Sequence, residues 1–473
     1  MRDLWQLSAV ETVAAIKEKT VSATEVTQSV LARIAQTNPR INALPVVCTE
    51  QALAAAQAAD KKQAQGEKLG PLHGVPVTIK VNVDTAGFAT TDGIVALKDN
   101  IATSDSPVVA SLREAGAIIV GLSNTPAFSL RWFTDNDLHG RTLNPFDASV
   151  TPGGSSGGAA AAVACGMGSV ALGSDYGGSI RYPAWACGVV GLRTTVGRVP
   201  SYKASMPARM ISNQQMSVQG PLSRTVADAR LAFEVMAQGS AFDPQWVPAP
   251  FEYPTDPSKS NKKIALFKTH AKTLAGSDVD PSVSAALQKT ALVLSKAGYE
   301  VVEIEPPHFE ESATLWRDLV FNDLRRGGKP AIESMGDKAV KAALAAYLDG
   351  VPQWTADQYL DALTRRFSIA RDWAVFLEEY PVLLMPNSWQ KQFPIDADTL
   401  GAQRMHELVV AQSPLLSTAM LGLPGLSVPT GMDNGLPTGV QLVSNKFRED
   451  RLFQVAGVIE QSASFSVLKA LNF

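Results

Sequence analysis

The sequence predicts a single α/β domain in which a twisted mixed β-sheet is covered by helices on both sides. Helical patterns alternate with short apolar runs, as where a predicted helix over residues 106–115 is followed by a predicted strand over 117–121. Of the 473 residues, 45% are hydrophobic and 18% are charged, which is ordinary for a protein with a large buried core. Both observations favour one α/β domain over the whole chain.

The first part of the chain, residues 1–69, is predicted to form a helical layer outside the sheet. Ser8 and Ser22 each precede a glutamate by three residues, which is the pattern of a capping box at the start of a helix. A third, alanine-rich helix is predicted over 50–64. Residues 75–83 then alternate as a strand, and this strand contains Lys80.

The remaining chain divides into three predicted segments. Residues 70–238 form a core, residues 239–262 contain five prolines and predict a surface linker, and residues 263–473 complete the α/β core. Asn434-Gly435 indicates a hairpin turn. Further helices are predicted over 159–165, 223–237, 282–297, 310–326, 356–379 and 449–461, and further strands over 169–173, 264–268, 300–304, 381–386, 426–429 and 438–443.

Composition excludes several classes of function. A net charge of −3 leaves no basic surface for nucleic acid or an anionic membrane. Three scattered cysteines imply no disulfide framework and favour a reducing cytoplasm. Asp3 and Glu11 interrupt the apolar run that a signal peptide would need. We therefore expect a cytoplasmic protein without nucleic-acid or membrane partners, and a homodimer stays open as its assembly.

Two glycine-rich turns form the centre of the candidate functional region. Residues 153–158 read GGSSGG and precede an alanine-rich run, and residues 175–179 read DYGGS. Consecutive glycines allow backbone N–H groups to converge on one small space, which suits a phosphate or the oxyanion of acyl transfer. The serines beside these glycines favour acyl transfer.

These turns and an upstream stretch closely resemble the motifs of the amidase-signature serine hydrolases. The three motifs, in the family's order, are HGVPVTIK at 73–80, GGSSGG at 153–158 and DYGGSIR at 175–181. The resemblance implies hydrolysis of a small aryl or alkyl amide to a carboxylate and an amine, without a metal or other cofactor.

The resemblance also assigns roles to residues. It implies that Ser179 is the nucleophile, that Ser155 is a bridging serine after a cis peptide bond from Gly154, and that Lys80 is the base. A lysine acts as a base only when neutral, so its pKa must fall from about 10.4 toward about 7–8. Burial supplies such a shift because it disfavours the charged form. The expected oxyanion hole consists of the backbone amides of Tyr176, Gly177, Gly178 and Ser179.

Other residues are expected to support this chemistry or to contact the substrate. Ser156 fits an N-cap of the following helix, and Asp175 and Arg181 are expected to brace the second turn. Residues 124–136 and 385–389 are expected to supply pocket walls. The predicted substrate contacts are Gly154, Asn124, Trp132, Phe133 and Tyr176, and Phe128 belongs to the same aromatic segment.

The sequence departs from the usual family pattern, and two alternatives stay open. Val81 stands where aspartate is usual, and Tyr176 stands where threonine is frequent. One alternative is the amidase subunit of a tRNA-dependent amidotransferase, which releases ammonia from glutamine; Tyr182 and residues 213–217 speak against it. The other is a catalytically silent binding protein, which the intact lysine and serines oppose.

Other chemistries lack their patterns. The five histidines are scattered without metal-ligand spacing. GGSSGG lacks the lysine of a phosphate-binding loop. Cys165 and Cys187 lie among apolar residues, which is typical of core cysteines.

Overall fold

A mixed sheet of 11 strands organises the part of the chain that the computed structural model describes, which is residues 3–251, 262–268 and 279–472. The strands are β1 Val46–Val47, β2 Pro76–Lys80, β3 Ile118–Ser123, β4 Val170–Asp175, β5 Val190–Arg193, β6 Val218–Ser223, β7 Lys263–Leu266, β8 Glu300–Glu303, β9 Val382–Met385, β10 Gly425–Asp433 and β11 Leu436–Ser444.

The strand order shows why the sheet is mixed. From edge to edge it is β1-β3-β2-β4-β6-β5-β10-β11-β9-β7-β8. β2 is parallel to β3 and β4, and β7 is parallel to β8 and β9, whereas the remaining neighbours are antiparallel. Since parallel strands end at the same edge, the carboxyl ends of β2 and β4 lie together.

Helices cover both faces of the sheet, as predicted. On β3, Ile118 and Val120 join a core cluster with the first three helices and α5, whereas Ile119 and Leu122 join a cluster with α4 and α8. The helices are α1 Ala9–Lys17, α2 Ala23–Ile41, α3 Thr49–Ala64, α4 Pro107–Glu114, α5 Gly157–Ala164, α6 Arg181–Ala186, α7 Ile211–Met216, α8 Val226–Met236, α9 Pro281–Lys296, α10 Phe309–Gly327, α11 Lys329–Met335, α12 Lys338–Leu348, α13 Ala356–Glu379, α14 Ala402–Ala411, α15 Ser413–Leu421, α16 Glu449–Ala463 and α17 Val467–Ala470.

The predicted starts of the first helices are confirmed. Ser8 and Ser22 each accept a hydrogen bond from the backbone amide three residues on, and the glutamate there accepts one from the serine amide. Each capping box satisfies two of the amides that a helix start leaves without partners. The sequence therefore predicts where these two helices begin.

Several elements were not predicted, and β6 is the most informative. Its residues include Gly220 and Pro221, which usually interrupt a strand. β6 forms because β4 and β5 pair with it on both sides. The helix predicted from residue 223 begins instead at Val226, because Thr225 caps it. β5 and the short helices α6, α7, α11, α12, α14 and α15 were likewise not predicted.

The predicted linker is described only in part. Residues 239–251 contain turns and no helix or strand, and 252–261 lie outside the described residues. The division of the chain into four segments stays a prediction. In the described ranges, no helix combines the length and the apolar character needed to span a membrane.

Candidate active site

Lys80 lies at the carboxyl end of β2 with its side chain fully buried. Its Nζ donates hydrogen bonds to Ser155 Oγ at 2.7 Å and to Ser174 Oγ at 3.0 Å. Burial lowers the pKa of Lys80 from its ordinary value to about 7, with the attraction of Asp92 opposing that shift. Lys80 is thus close to its point of neutralisation at physiological pH, inside hydrogen-bond reach of a serine.

The first glycine turn carries Ser155 into this site. The peptide bond between Gly154 and Ser155 is cis, and Gly153 has a φ of +84°. A Cβ on Gly154 would collide with the backbone carbonyl of Arg131. The turn therefore requires glycine at 154 for space and favours it at 153 for conformation.

Ser156 supports the site differently from the N-cap interpretation. It precedes α5, yet its side chain makes no capping hydrogen bond to that helix. Its Oγ instead accepts from the amide of Ser174 and donates to the carbonyl of Ser174, both at 3.3 Å. Ser156 consequently ties the first turn to the end of β4.

The second turn is braced by a buried ion network. Asp175 lies 3.0 Å from Arg181 and 3.1 Å from Arg193, and all three side chains are fully buried. Burial opposes ionisation of Asp175, but the two guanidinium groups outweigh it and hold its pKa well below the usual range. Asp175 also accepts from the amides of Gly178 and Ile180 at 2.9 and 3.1 Å.

Ser179 follows this braced turn and is 8% exposed. Its carbonyl accepts from the amide of Ser156 at 3.1 Å, which joins the two glycine turns directly. Ser155 and Ser179 both line the same cavity. No hydrogen bond among the described residues joins their two hydroxyl groups.

The structure distinguishes three of the four amides expected to form the oxyanion hole. The Gly178 amide is engaged by Asp175, whereas the amides of Gly177 and Ser179 have no acceptor among the described residues. Trp316 donates to the carbonyl of Tyr176 at 2.8 Å. Because a trans peptide directs its N–H opposite to its carbonyl, this bond fixes the direction of the Gly177 amide. A Cβ on Gly177 would collide with the Trp316 ring, so the approach requires glycine.

A cavity of about 610 Å³ opens in front of these groups. Tyr176 and Phe128 line it, together with Asn82, Asp92, Ser129 and Ser174. Its outer wall comes from two segments without helix or strand. Their main lining residues are Tyr202, Lys203, Met206, Arg209, Met210, Phe242 and Asp243.

The other predicted substrate contacts lie in the core instead of on the cavity wall. Asn124 is fully buried and donates to the carbonyl of Gly140, and Trp132 donates to the carbonyl of Gly177. Phe133 stacks on Phe393. Gly154 and residues 385–389 are also buried and are not among the lining residues. Their polar and aromatic side chains have structural partners, which composition alone does not reveal.

Sequence reasoning missed Ser174, Asn82, Asp92 and Lys203. Ser174 is adjacent to the recognised Asp175, and Asn82 lies two residues after Lys80, so proximity to the motifs could have indicated both. Asp92 and Lys203 lie in irregular segments without a pattern. The described residues contain no group of three His, Cys, Asp or Glu side chains that could hold a metal ion.

Comparisons with known proteins agree with the geometry. A family model described as Amidase matches residues 25–453. An indoleacetamide hydrolase of Bradyrhizobium diazoefficiens is 43% identical over 97% of this chain and 87% of its own. A glutamyl-tRNA(Gln) amidotransferase subunit of Moorella thermoacetica is 35% identical over 98% of both chains. The structure of a bacterial aryl acylamidase of the amidase signature family is 26% identical, covers 98% of both chains and gives a TM-score of 0.84.

Proposed function

Since this chain belongs to the amidase family and hydrolyses carbon–nitrogen bonds of small amides, we propose that Ser179 is its nucleophile and forms an acyl-enzyme. The observation that carries the proposal is the 2.7 Å hydrogen bond from Lys80 to Ser155, which lines the same cavity as Ser179. An activated serine needs one proton acceptor in reach, and this pair supplies a two-step relay.

The relay runs from the nucleophile to the buried base. Neutral Lys80 takes a proton from Ser155, which takes one from Ser179 as Ser179 attacks the carbonyl carbon. The relay requires the Ser179 hydroxyl to turn toward Ser155, a contact that tightens when substrate is bound. The amides of Gly177 and Ser179 stabilise the oxyanion.

Collapse of the tetrahedral intermediate completes the first half of the reaction. The carbon–nitrogen bond breaks, Ser155 returns the proton to the departing amine, and Lys80 resupplies Ser155. Water then attacks the ester of Ser179 by the same route and releases the carboxylate. Each proton that leaves a serine is returned, so the enzyme ends as it began.

The cavity wall supports an aryl or arylalkyl acyl group. Phe128, Tyr176, Tyr202 and Phe242 line it, with Met206 and Met210 between them. Flat rings and thioethers pack well against an aromatic substrate. The indoleacetamide hydrolase relative, by its name, acts on an amide of this class. We infer that the physiological substrate is a primary amide of an arylacetic acid.

A substrate panel tests this proposal. We expect indole-3-acetamide and phenylacetamide to exceed glutamine and acetamide in kcat/KM by at least about tenfold. Only the amides that carry a ring can pack against the aromatic side chains of the cavity wall. A fluorophosphonate should label Ser179, as read by peptide mass spectrometry. Glutamine as the best substrate would instead favour the amidotransferase alternative, and absence of labelling would overturn Ser179 as the nucleophile.

We also infer a reducing cytoplasmic location. Cys48, Cys165 and Cys187 are buried free thiols. Burial raises the pKa of Cys48 to about 11 and that of Cys165 to about 12, which keeps both thiols unreactive.

A further inference from the structure

A continuous chain of hydrogen bonds runs along one wall of the cavity and ends at Lys80. Lys80 donates to Ser174 Oγ at 3.0 Å, and Asn82 Nδ2 lies 3.4 Å from the same oxygen. Asn82 Nδ2 also donates to Ser129 Oγ at 3.0 Å, and Ser129 Oγ donates to Asp92 Oδ1 at 2.6 Å. All but Lys80 line the cavity.

The carboxylate at the far end fixes the direction of every bond in this chain. An ionised carboxylate only accepts, so the Ser129 hydroxyl must donate to Asp92. The lone pairs of Ser129 are then left for Asn82, which must present Nδ2 and not Oδ1. In agreement, Asn82 Oδ1 is buried and has no partner among the described residues.

The direction of these hydrogen bonds determines how the N–H groups and the lone pair of Lys80 can be oriented. With Asn82 donating, Ser174 Oγ accepts from both Asn82 and Lys80. A neutral lysine has two N–H donors and one lone pair. When one N–H is directed at Ser174, the lone pair can point to the Ser155 hydroxyl, which is the orientation that proton abstraction requires.

The backbone at the Asp92 end of this series of hydrogen bonds adopts uncommon conformations. Asp92, Phe128 and Ser129 have φ values of 46°, 58° and 50°, in the left-handed region that few non-glycine residues adopt. Such conformations are unfavourable and persist where their surroundings enforce them. Here the Phe128 amide donates to the Asp92 carbonyl at 3.0 Å, and the Asp92 amide donates to the carbonyl of Val81 at 3.3 Å.

We propose that Asp92 is a positioning residue for the base: through Ser129, Asn82 and Ser174 it orders the hydrogen bonds that present Lys80 to Ser155. The proposal rests on the proposed function, in which Lys80 is the base. Asp92 does not touch the reacting atoms, and it acts only through this series of hydrogen bonds and through its own negative charge.

Several charged groups share this region. Lys80 faces Asp92, Lys203 and Asp175, and Asp92 in turn faces both lysines. Burial raises the pKa of Asp92, and Lys203 opposes that rise. The negative charge of Asp92 favours the ammonium form of Lys80, so removing that charge must lower the pKa of Lys80 further.

The test compares pH–rate profiles of kcat/KM for wild type, Asp92→Asn and Ser129→Ala on phenylacetamide. Asp92→Asn should lower kcat about tenfold, because the order of the hydrogen bonds is lost. It should also move the acid limb, which is the part of the profile where the rate rises with pH, to lower pH, because the negative charge is lost. Ser129→Ala should lower kcat similarly while the limb stays near its wild-type position, because the charge remains. A purely structural residue would not separate these two readouts.

Asp228→Asn is the matched control, since Asp228 is another buried carboxylate whose pKa burial raises, but it lies on α8 and bonds to the Val10 amide. Its acid limb should match that of wild type. An unmoved limb in Asp92→Asn, with the limb abolished in Lys80→Ala, would overturn the inference while keeping Lys80 as the base. If Lys80→Ala retains the limb, the proposed function itself fails. If Asp92→Asn does not fold, wild-type kcat in Ser129→Ala overturns the inference.

Discussion

The inner and outer walls of the cavity are built in opposite ways. Ser155, Ser174 and Ser179 line the inner wall, and behind them lie Lys80, the rest of the two glycine turns and the Asp175 ion network, which are almost entirely buried. The outer wall consists of residues 201–210 and 239–247, which contain no strand or helix and expose Tyr202 by 40% and Phe242 by 68%. In the proposed function, the inner wall positions the reacting atoms, whereas the outer wall presents surface to a substrate.

The outer wall nevertheless has its own internal order. The amide of Ser201 donates to Asp243 at 2.7 Å, and Arg209 lies 3.5 Å from the same carboxylate. The rings of Tyr202 and Phe242 stack with centroids 5.2 Å apart. These contacts join the two segments to each other, so substitutions there should change substrate preference while the chemistry remains.

The largest expected effect comes from comparing the loss of a serine hydroxyl at the inner wall with the loss of one at the outer wall. Ser179→Ala should lower kcat by at least about a thousandfold, because no other group can form the acyl-enzyme. Ser201→Ala, in the same cavity, should stay within about twofold of wild type, as is usual for substitutions away from reacting atoms. Steady-state kinetics on phenylacetamide measure both, with thermal unfolding as the check on folding. Comparable losses in the two variants would contradict the division between the walls.

A second pair contrasts the two lysines. The wild-type rate should rise with pH through about 7, since Lys80 is charged and inactive below its pKa and neutral above it. Lys80→Ala should abolish this limb and lower kcat at least about a hundredfold, with amides losing more than matched esters because an amine leaving group needs the proton.

Lys203→Met should act on the same limb in the opposite direction to Asp92→Asn. The charge of Lys203 lowers the pKa of Lys80, so its removal should move the acid limb to higher pH while most of kcat remains. Because Lys203 is only half-buried, solvent screens this effect and the shift should be small. A limb that moves to lower pH in Lys203→Met would show that Asp92 and Lys203 do not act on Lys80 as charges.

A modest effect, on substrate binding alone, is expected at the exposed ring of the outer wall. Phe242→Ala should raise KM for indole-3-acetamide about three- to tenfold with kcat nearly unchanged, since a stacked aromatic contact contributes about 0.5–1.5 kcal/mol. Acetamide serves as the control substrate, because it carries no ring and should lose little. Equal losses for both amides would place Phe242 outside the ring-binding wall.

The inner wall was accessible to sequence reasoning because its function depends on local backbone geometry. Lys80, Ser155 and Ser179 lie in short motifs whose glycines have direct physical reasons, such as the approach of Gly177 to Trp316. The helix starts at Ser8 and Ser22 were equally readable, since a capping box is complete within four residues. Such features leave their full pattern in adjacent positions.

The outer wall and the side-chain directions were decided only by the tertiary structure. Nothing in the sequence places Asp92 beside Ser129, 37 residues away, or Phe242 against Tyr202. Trp132 and Phe133 were predicted to contact the substrate, yet they pack in the core. Their sequence pattern could not separate the two places, because aromatic rings are common both in cores and in binding sites. The hydrophobic pattern predicted the α/β fold, and the resemblance of three short motifs to a known family predicted the family and the positions of the candidate catalytic groups. Which polar groups face the cavity depended on contacts between distant segments, whose partners no local rule specifies.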